Sequence, residues 1–110
     1  MTTAEIYTMI QAVGVPCVYH HFREGTGQEP PFICFYFPGD NDLLADDTNY
    51  VQINQLIIEL YTDAKDFDLE QTLEGVLKQH GMVWAKTETY ISSEKMYMET
   101  YTMEVLINGE

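Results

Sequence analysis

The sequence predicts an α+β fold, in which a mostly antiparallel sheet of about five strands carries two helices packed on one face. Two observations support this class: two apolar stripes at helical spacing, and five strand-like segments separated by turn-rich loops. The predicted order is α-β-β-β-α-β-β. Because 110 residues suit a single core and no internal repeat is present, we expect residues 1–110 to form one domain.

The first element is predicted to be a short helix that begins at Thr2. Thr2 and Glu5 match a capping box, in which the two side chains satisfy free backbone N–H groups of each other. Apolar residues recur with helical spacing at Ile6, Met9, Ile10 and Val13. Gly14 suits the end of this helix, and Pro16 prevents its continuation.

Two strands are predicted next, at residues 16–22 and 32–37. Residues 23–31 between them are rich in Gly, Glu and Pro, which is typical of a long hairpin loop, so we expect antiparallel pairing. The two strands hold the cysteines Cys17 and Cys34, without a C-x-x-C pair, which predicts two buried free thiols in a reducing compartment. A disulfide between the neighbouring strands is the alternative.

Residues 39–49 form the second predicted loop, which is the most acidic window of the chain. A long strand is expected at residues 50–62, but its apolar alternation changes phase near Asn54 and Gln55. A β-bulge at this point would reset the two faces; alternatively, the second half of the strand is buried on both faces.

The second helix is predicted at residues 66–80, with Asp66 or Asp68 as its N-cap and Gly81 at its end. Its apolar stripe consists of Leu69, Leu73, Val76 and Leu77. Residues 82–91 and 96–107 then alternate in side-chain character, which predicts two strands joined by a short hairpin loop.

The composition argues against several classes of function. With 18 acidic and 5 basic residues, the net charge of −13 leaves too few cations for a nucleic-acid surface or for binding to anionic lipid. No apolar run is long enough to span a bilayer, and the N-terminus lacks the features of a signal peptide. We therefore expect no membrane partner.

No motif predicts catalysis, a cofactor or a metal site. The adjacent His20 and His21 point to opposite faces of a strand, so they cannot both bind one metal ion from this segment. Asp40 and Asp42 begin like a calcium loop, but no glutamate follows at the required spacing. We expect a protein that is not an enzyme; whether the acidic loop holds a cation is left open.

The last predicted strand is the candidate for contact between subunits. It is rich in tyrosine and methionine, which are enriched at protein interfaces. Core packing accounts for one face of this strand, whereas the other face needs a helix or a second subunit over it. The residues predicted to make the contact are Met96, Tyr97, Met98 and Tyr101.

Four stretches carry a resemblance to a known family. They are residues 35–47 (FYFPGDNDLLADD), 51–66 (VQINQLIIELYTDAKD), 68–77 (DLEQTLEGVL) and 86–97 (KTETYISSEKMY). In wording and in element order they look like the tail terminators, or tail-completion proteins, of long-tailed phages and prophages of Gram-positive bacteria. The resemblance covers most of the chain and includes no catalytic signature.

The resemblance implies a structural role in the virion. Members of this family form a ring, usually a hexamer, at the head-proximal end of the tail tube, where the ring stops tube growth and docks the head connector. DNA passes through the ring without being bound specifically, and assembly takes place in the host cytoplasm. On this basis the acidic loop is predicted to line the lumen or to contact the tube, since a negative wall does not retain DNA. Its aspartates are Asp40, Asp42, Asp46 and Asp47.

Two other interpretations stay open. The chain could be another neck or head–tail connector component of the same virion, which the sequence does not distinguish from a terminator. It could also be an acidic DNA mimic that inhibits a nucleic-acid-binding protein. The sequence favours the mimic less, because its carboxylates are spread over loops, helix and strands instead of following one surface.

Overall fold

The computed structural model describes residues 1–20, 28–38, 43–45, 48–51 and 53–107. Its helices are α1 (Thr3–Gln11) and α2 (Phe67–Gln79). Its strands are β1 (Cys17–Tyr19), β2 (Phe32–Tyr36), β3 (Leu43–Ala45), β4 (Thr48–Val51), β5 (Ile53–Thr62), β6 (Trp84–Ile91) and β7 (Met96–Leu106). Neither of these two helices has the length and apolar content needed to cross a membrane.

Five of the strands form one mixed sheet in the order β1-β2-β5-β7-β6. Every neighbouring pair in this sheet is antiparallel except β1–β2, which is parallel. When only the strands of this sheet are counted, the chain follows the predicted order α-β-β-β-α-β-β. The predicted α+β class is therefore confirmed.

The predicted antiparallel pairing of the first two strands is wrong. β1 and β2 run parallel, with Cys17 beside Ile33. A backbone hydrogen bond from His20 N to Phe35 O (2.6 Å) extends this pairing. The connection at residues 20–31 is about a dozen residues long, which suffices for a parallel return. Its glycines and prolines do not by themselves distinguish such a connection from a hairpin.

The two cysteines are free thiols. Cys34 is buried, whereas Cys17 is only half-buried, so the prediction of two buried thiols is correct for Cys34 alone. Cys17 pairs with Ile33, and Ile33 and Cys34 point to opposite faces because they are consecutive in a strand. The two thiols therefore lie on opposite faces of the sheet, and the alternative of a disulfide is not realised.

The structure also differs from the predicted loop at residues 39–49 and the predicted strand at residues 50–62. β3 and β4 lie in or next to the predicted loop and pair with each other in a separate two-stranded sheet. β5 pairs with β7 in unbroken register from Ile53 to Thr62, so no bulge lies at Asn54 and Gln55. Within this regular strand, Leu56, Ile58 and Leu60 are buried on one face and Ile57 is half-buried on the other, so apolar residues on both faces account for the uneven apolar pattern.

One apolar core lies between the main sheet and both helices. α1 contributes Ile6, Met9 and Ile10, as its stripe predicts, and α2 contributes Leu73 and Leu77. Alternate residues of β2, β5 and β7 complete the core: Ile33, Phe35, Leu56, Ile58, Leu60, Tyr101, Met103 and Val105. Both helices thus pack on one face of the sheet, as predicted. We call it the helix face, and the opposite face the open face.

The helix N-termini are capped by local side chains. Thr2 N donates to Glu5 Oε1 (2.8 Å) and Glu5 N donates to Thr2 Oγ1 (3.1 Å), so the predicted capping box is confirmed. For α2, Leu69 N donates to Asp66 Oδ1 (3.0 Å), which identifies Asp66 and not Asp68 as the N-cap. This cap fixes where the chain leaves β5 and enters α2, next to the polar cluster described below.

Candidate functional site

The aspartates of the acidic loop, which was predicted to face the lumen or the tube, lie outside the described residues. They are Asp40, Asp42, Asp46 and Asp47. Their role therefore stays a prediction. In the described part of the chain, two other regions collect chemically distinctive groups: the middle of the open face and a group of carboxylates on the helix face.

The structure divides the four candidate residues of β7 between the two faces. Tyr97 and Tyr101 point to the helix face, and Tyr101 is fully buried in the core. Met96 and Met98 point to the open face, where both are half-buried. The four predicted contact residues therefore lie on two faces of the sheet, and Tyr101 has no exposed surface for a partner.

The open face is rich in aromatic and apolar groups near its middle. The register of β2, β5 and β7 places Phe32, Tyr61 and Met98 side by side. The rings of Phe32 and Tyr61 stack with their centroids 4.7 Å apart. Other half-buried side chains on this face are Val18, Tyr36, Ile57, Met96, Thr100 and Thr102. Both helices pack on the other face, so neither helix covers these side chains.

One carboxylate, that of Glu59, lies within this apolar surrounding. Tyr61 Oη donates a hydrogen bond to Glu59 Oε1 (2.8 Å), and Tyr36 Oη donates one to Glu59 Oε2 (3.2 Å). Burial raises the pKa of both tyrosine hydroxyls, and the negative carboxylate that they contact raises it further. Each oxygen of Glu59 is thus held by a phenol that stays protonated at neutral pH.

A second polar group lies on the helix face, where α2 meets β6 and β7. Oxygen atoms of Glu70, Glu88 and Glu99 lie within 4.8 Å of one another. Glu70 is 3% exposed and Glu99 is 1% exposed. The ammonium of Lys65, just before α2, contacts all three carboxylates. Its Nζ lies 2.6 Å from Glu70 Oε2 and 3.4 Å from Glu99 Oε2, and it also donates to Glu88 Oε1.

A second lysine links this group to the helix. Lys86 Nζ donates to Glu70 Oε1 and to Glu74 Oε2, both at 2.7 Å. Tyr101 Oη donates to the same Glu74 Oε2, at 2.8 Å. Burial lowers the pKa of Lys86, but its hydrogen bonds to the two carboxylates outweigh this effect and raise it. Lys86 therefore stays charged and holds α2 against β6.

Of these carboxylates, that of Glu99 has the weakest hydrogen bonding and ion pairing to offset its burial. Neither of its oxygens accepts a hydrogen bond from the residues that the structure describes, and its ion pair with Lys65 spans 3.4 Å. Burial, a hydrogen bond that protonated Glu99 can share with Glu88, and the negative charge of Glu70 together raise the pKa of Glu99 to about 7, whereas Lys65 opposes the rise. Glu99 therefore gains or loses a proton near neutral pH.

Three convergent carboxylates are the type of ligand set that a hard divalent cation binds. In this protein the Lys65 ammonium already contacts all three, and Lys86 holds the second oxygen of Glu70. The arrangement is an internal ion-pair network that fixes α2 on the sheet. We call it the carboxylate cluster and define it as Lys65, Glu70, Glu74, Lys86, Glu88 and Glu99.

The similarity of this chain to known proteins lies in its fold. No protein-family model matches the sequence, and no curated protein matches it. Among solved structures, a chain in the virion of a native gene transfer agent particle is similar over 94% of this chain and 92% of its own length. The TM-score is 0.63 and the sequence identity is 12%, so the two chains share a fold along nearly their whole lengths.

Proposed function

We propose that this chain is a structural virion protein that caps the head-proximal end of a phage tail tube and forms the docking face for the head connector. The observation that carries the proposal is the fold shared, over nearly the full length of both chains, with a chain of the gene transfer agent virion. The sequence resemblance to tail terminators supports it independently, because that resemblance rests on residues and not on backbone geometry. In this role the protein is not an enzyme and needs no cofactor.

The proposal includes a ring of identical subunits, a hexamer by the resemblance. β6 is an edge strand of the main sheet and runs for 8 residues beside β7. The outward N–H and C=O groups of an edge strand pair readily with another chain. Most side chains of β6 are exposed, so a neighbouring subunit can reach this edge. We therefore place the contact between subunits of the ring at β6.

The proposal also assigns a location in the ring to the acidic loop. Residues 24–47 contain six acidic residues and neither lysine nor arginine. Carboxylates at the lumen of the ring would repel the phosphates of passing DNA instead of retaining them. We propose that Asp40, Asp42, Asp46 and Asp47 lie at the lumen or at the contact with the tube protein, in the virion and during its assembly in the bacterial cytoplasm.

Electron microscopy of tail tubes tests the cap role directly. Tube protein is polymerised with and without this chain, and the tubes are imaged in negative stain. We expect tubes of unlimited length in its absence, and shorter tubes with ring-shaped density at one end in its presence. Tubes that keep growing and carry no added density at either end contradict the proposal. Binding to the head connector without any effect on tube length favours the alternative of another neck component.

The DNA-mimic alternative has less support from the geometry. The carboxylates of the carboxylate cluster are directed at Lys65 and Lys86, and so do not form a phosphate-like array on the surface. A pull-down against DNA-binding proteins tests this alternative. Capture that depends on the acidic loop would support it over a structural role.

A further inference from the structure

We propose that the open face binds an arginine side chain of a different protein, through the carboxylate of Glu59 and the aromatic rings beside it. This proposal depends on the geometry and charge of the open face and not on the cap role, so either proposal can fail while the other holds. It assigns Met96 and Met98 to a contact with a basic partner, in place of the subunit contact that the sequence suggested.

The carboxylate of Glu59 is held in position and only partly used. It lies on β5, the central strand of the sheet, with Cys34 on one neighbouring strand and Thr100 on the other. A carboxylate has about four sites that accept hydrogen bonds, and the phenols of Tyr36 and Tyr61 use one on each oxygen. Apart from these two phenols, no hydrogen bond of the described side chains is given to Glu59, and one further site on each oxygen matches the two parallel N–H groups of a guanidinium.

Glu59 also lacks a cation within the described part of the chain. The two lysines that form ion pairs there, Lys65 and Lys86, belong to the carboxylate cluster on the opposite face. A partner that covers the apolar groups of the open face must also remove Glu59 from water. Burying a carboxylate is strongly unfavourable unless the partner supplies a positive charge or several donors. The partner surface is therefore cationic at this point.

The surroundings of Glu59 favour arginine over a smaller cation. Phe32 and Tyr61 stack beside the carboxylate, and Ile57 and Met98 add half-buried apolar surface. A guanidinium can stack on aromatic rings while it pairs with a carboxylate, and its stem is apolar. The net charge of −13 attracts a basic protein over a distance, whereas a second copy would bring equal negative charge and a second Glu59 carboxylate.

Nuclear magnetic resonance of the methionine methyl groups tests the proposal on the whole chain. The probe is N-acetyl-arginine amide, and its uncharged isostere, N-acetyl-citrulline amide, is the control ligand. Glu59→Gln removes the charge but keeps the size of the side chain. Glu94→Gln removes the same charge from the exposed turn between β6 and β7. The amide spectrum of each variant shows whether it is folded, and Tyr36→Phe provides a second variant that keeps the Glu59 charge.

We expect the arginine derivative to shift the Met98 methyl signal saturably, with an affinity that falls about tenfold in Glu59→Gln and severalfold in Tyr36→Phe. Glu94→Gln should bind as the unaltered protein does, and the citrulline derivative should give no saturable shift. Equal binding by Glu59→Gln, or equal shifts with citrulline, overturns the proposal. So does a dimer in analytical ultracentrifugation that Met98→Lys dissociates, because the occupant would then be a second copy.

Discussion

Lys65 Nζ lies 3.4 Å from Oε2 of Glu99, a carboxyl group that is 1% exposed and accepts no hydrogen bond from any described residue. The same ammonium contacts Glu70 and Glu88 at shorter distances, so its ion pair with Glu99 is the weakest of the three. A buried carboxyl group with so little compensation favours its protonated form. This relationship couples the stability of the fold to pH near neutrality.

We expect the free energy of unfolding to fall as the pH rises from about 5 to about 8. The pKa of Glu99 is about 7 in the folded chain, above the ordinary value of 4.5, so the folded chain keeps a proton that the unfolded chain loses. The stabilisation is complete below pH 4.5 and is lost as the pH rises through 7. The slope approaches about 1.4 kcal/mol per pH unit, and urea unfolding across this range measures it.

The variant Glu99→Gln provides the control for this prediction. Its amide resembles the protonated carboxyl and cannot titrate, so its stability should stay nearly level over the same range. The difference between the two proteins should be small at about pH 5 and should grow toward about pH 8. Parallel curves for both proteins would place the pH dependence at another group.

Lys65→Met should lower the free energy of unfolding by about 2 kcal/mol at about pH 8. The change keeps the apolar stem but removes the cation that contacts Glu70, Glu88 and Glu99. Because the Lys65 side chain is 26% exposed, we expect less than the full loss seen when a fully buried ion pair is broken. The loss should shrink at about pH 5, where Glu99 is protonated.

Lys78→Met is the matched control for Lys65→Met. Lys78 is exposed in the last turn of α2 and belongs to none of the ion pairs in the described structure. We expect a change within about 0.5 kcal/mol. Equal losses in the two variants, measured by urea unfolding, would show that Lys65 contributes only as a surface charge.

Tyr101→Phe should lower the free energy of unfolding by about 1–2 kcal/mol. It removes the hydrogen bond from Tyr101 Oη to Glu74 Oε2 (2.8 Å) and leaves the ring in the core. Tyr97→Phe, on the same strand and face, is the control. It removes a hydroxyl and leaves the ring packed against Tyr90, with the centroids 4.9 Å apart. Thermal unfolding should therefore show a lower Tm for the first variant and little change for the second.

The helices and their caps could be predicted from the sequence because their determinants are local. In α1, both determinants lie within one short segment: the apolar stripe of Ile6, Met9 and Ile10, and the capping pair of Thr2 and Glu5. Each depends only on residues a few positions apart in the chain. The direction of β1 relative to β2 has no such local determinant. It depends on the path of the chain between the strands, so the turn-forming residues there did not reveal it.

The two polar sites depend on strand register and helix placement. The pair Glu59 and Tyr61 is visible in the sequence as two residues of one strand face, but Tyr36 joins them only through the pairing of β2 with β5. Glu88 and Glu99 meet because they are register partners on β6 and β7. A carboxylate at a buried strand position, such as Glu99, was the one sequence signal for the carboxylate cluster.

Charge reversal in the acidic loop tests its predicted role. We expect the triple variant Asp42→Lys, Asp46→Lys and Asp47→Lys to impair ring stacking on the tube or the passage of DNA, because a basic surface at the lumen would hold phosphates. These residues lie outside the described part of the chain, so the expectation rests on their charge alone. The yield of infectious particles measures it, with tube capping followed by electron microscopy.

A matched triple reversal separates a local effect of the loop from a general effect of net charge. Asp63→Lys, Asp68→Lys and Glu94→Lys change the net charge by the same amount at exposed positions elsewhere. If the loop faces the lumen, the loop variant should still cap tubes, but few of the particles should eject their DNA. If the loop contacts the tube protein, the loop variant should not cap tubes. A normal yield from the loop variant, or an equal loss from the matched variant, would remove the loop from both roles and leave its charge as a matter of solubility.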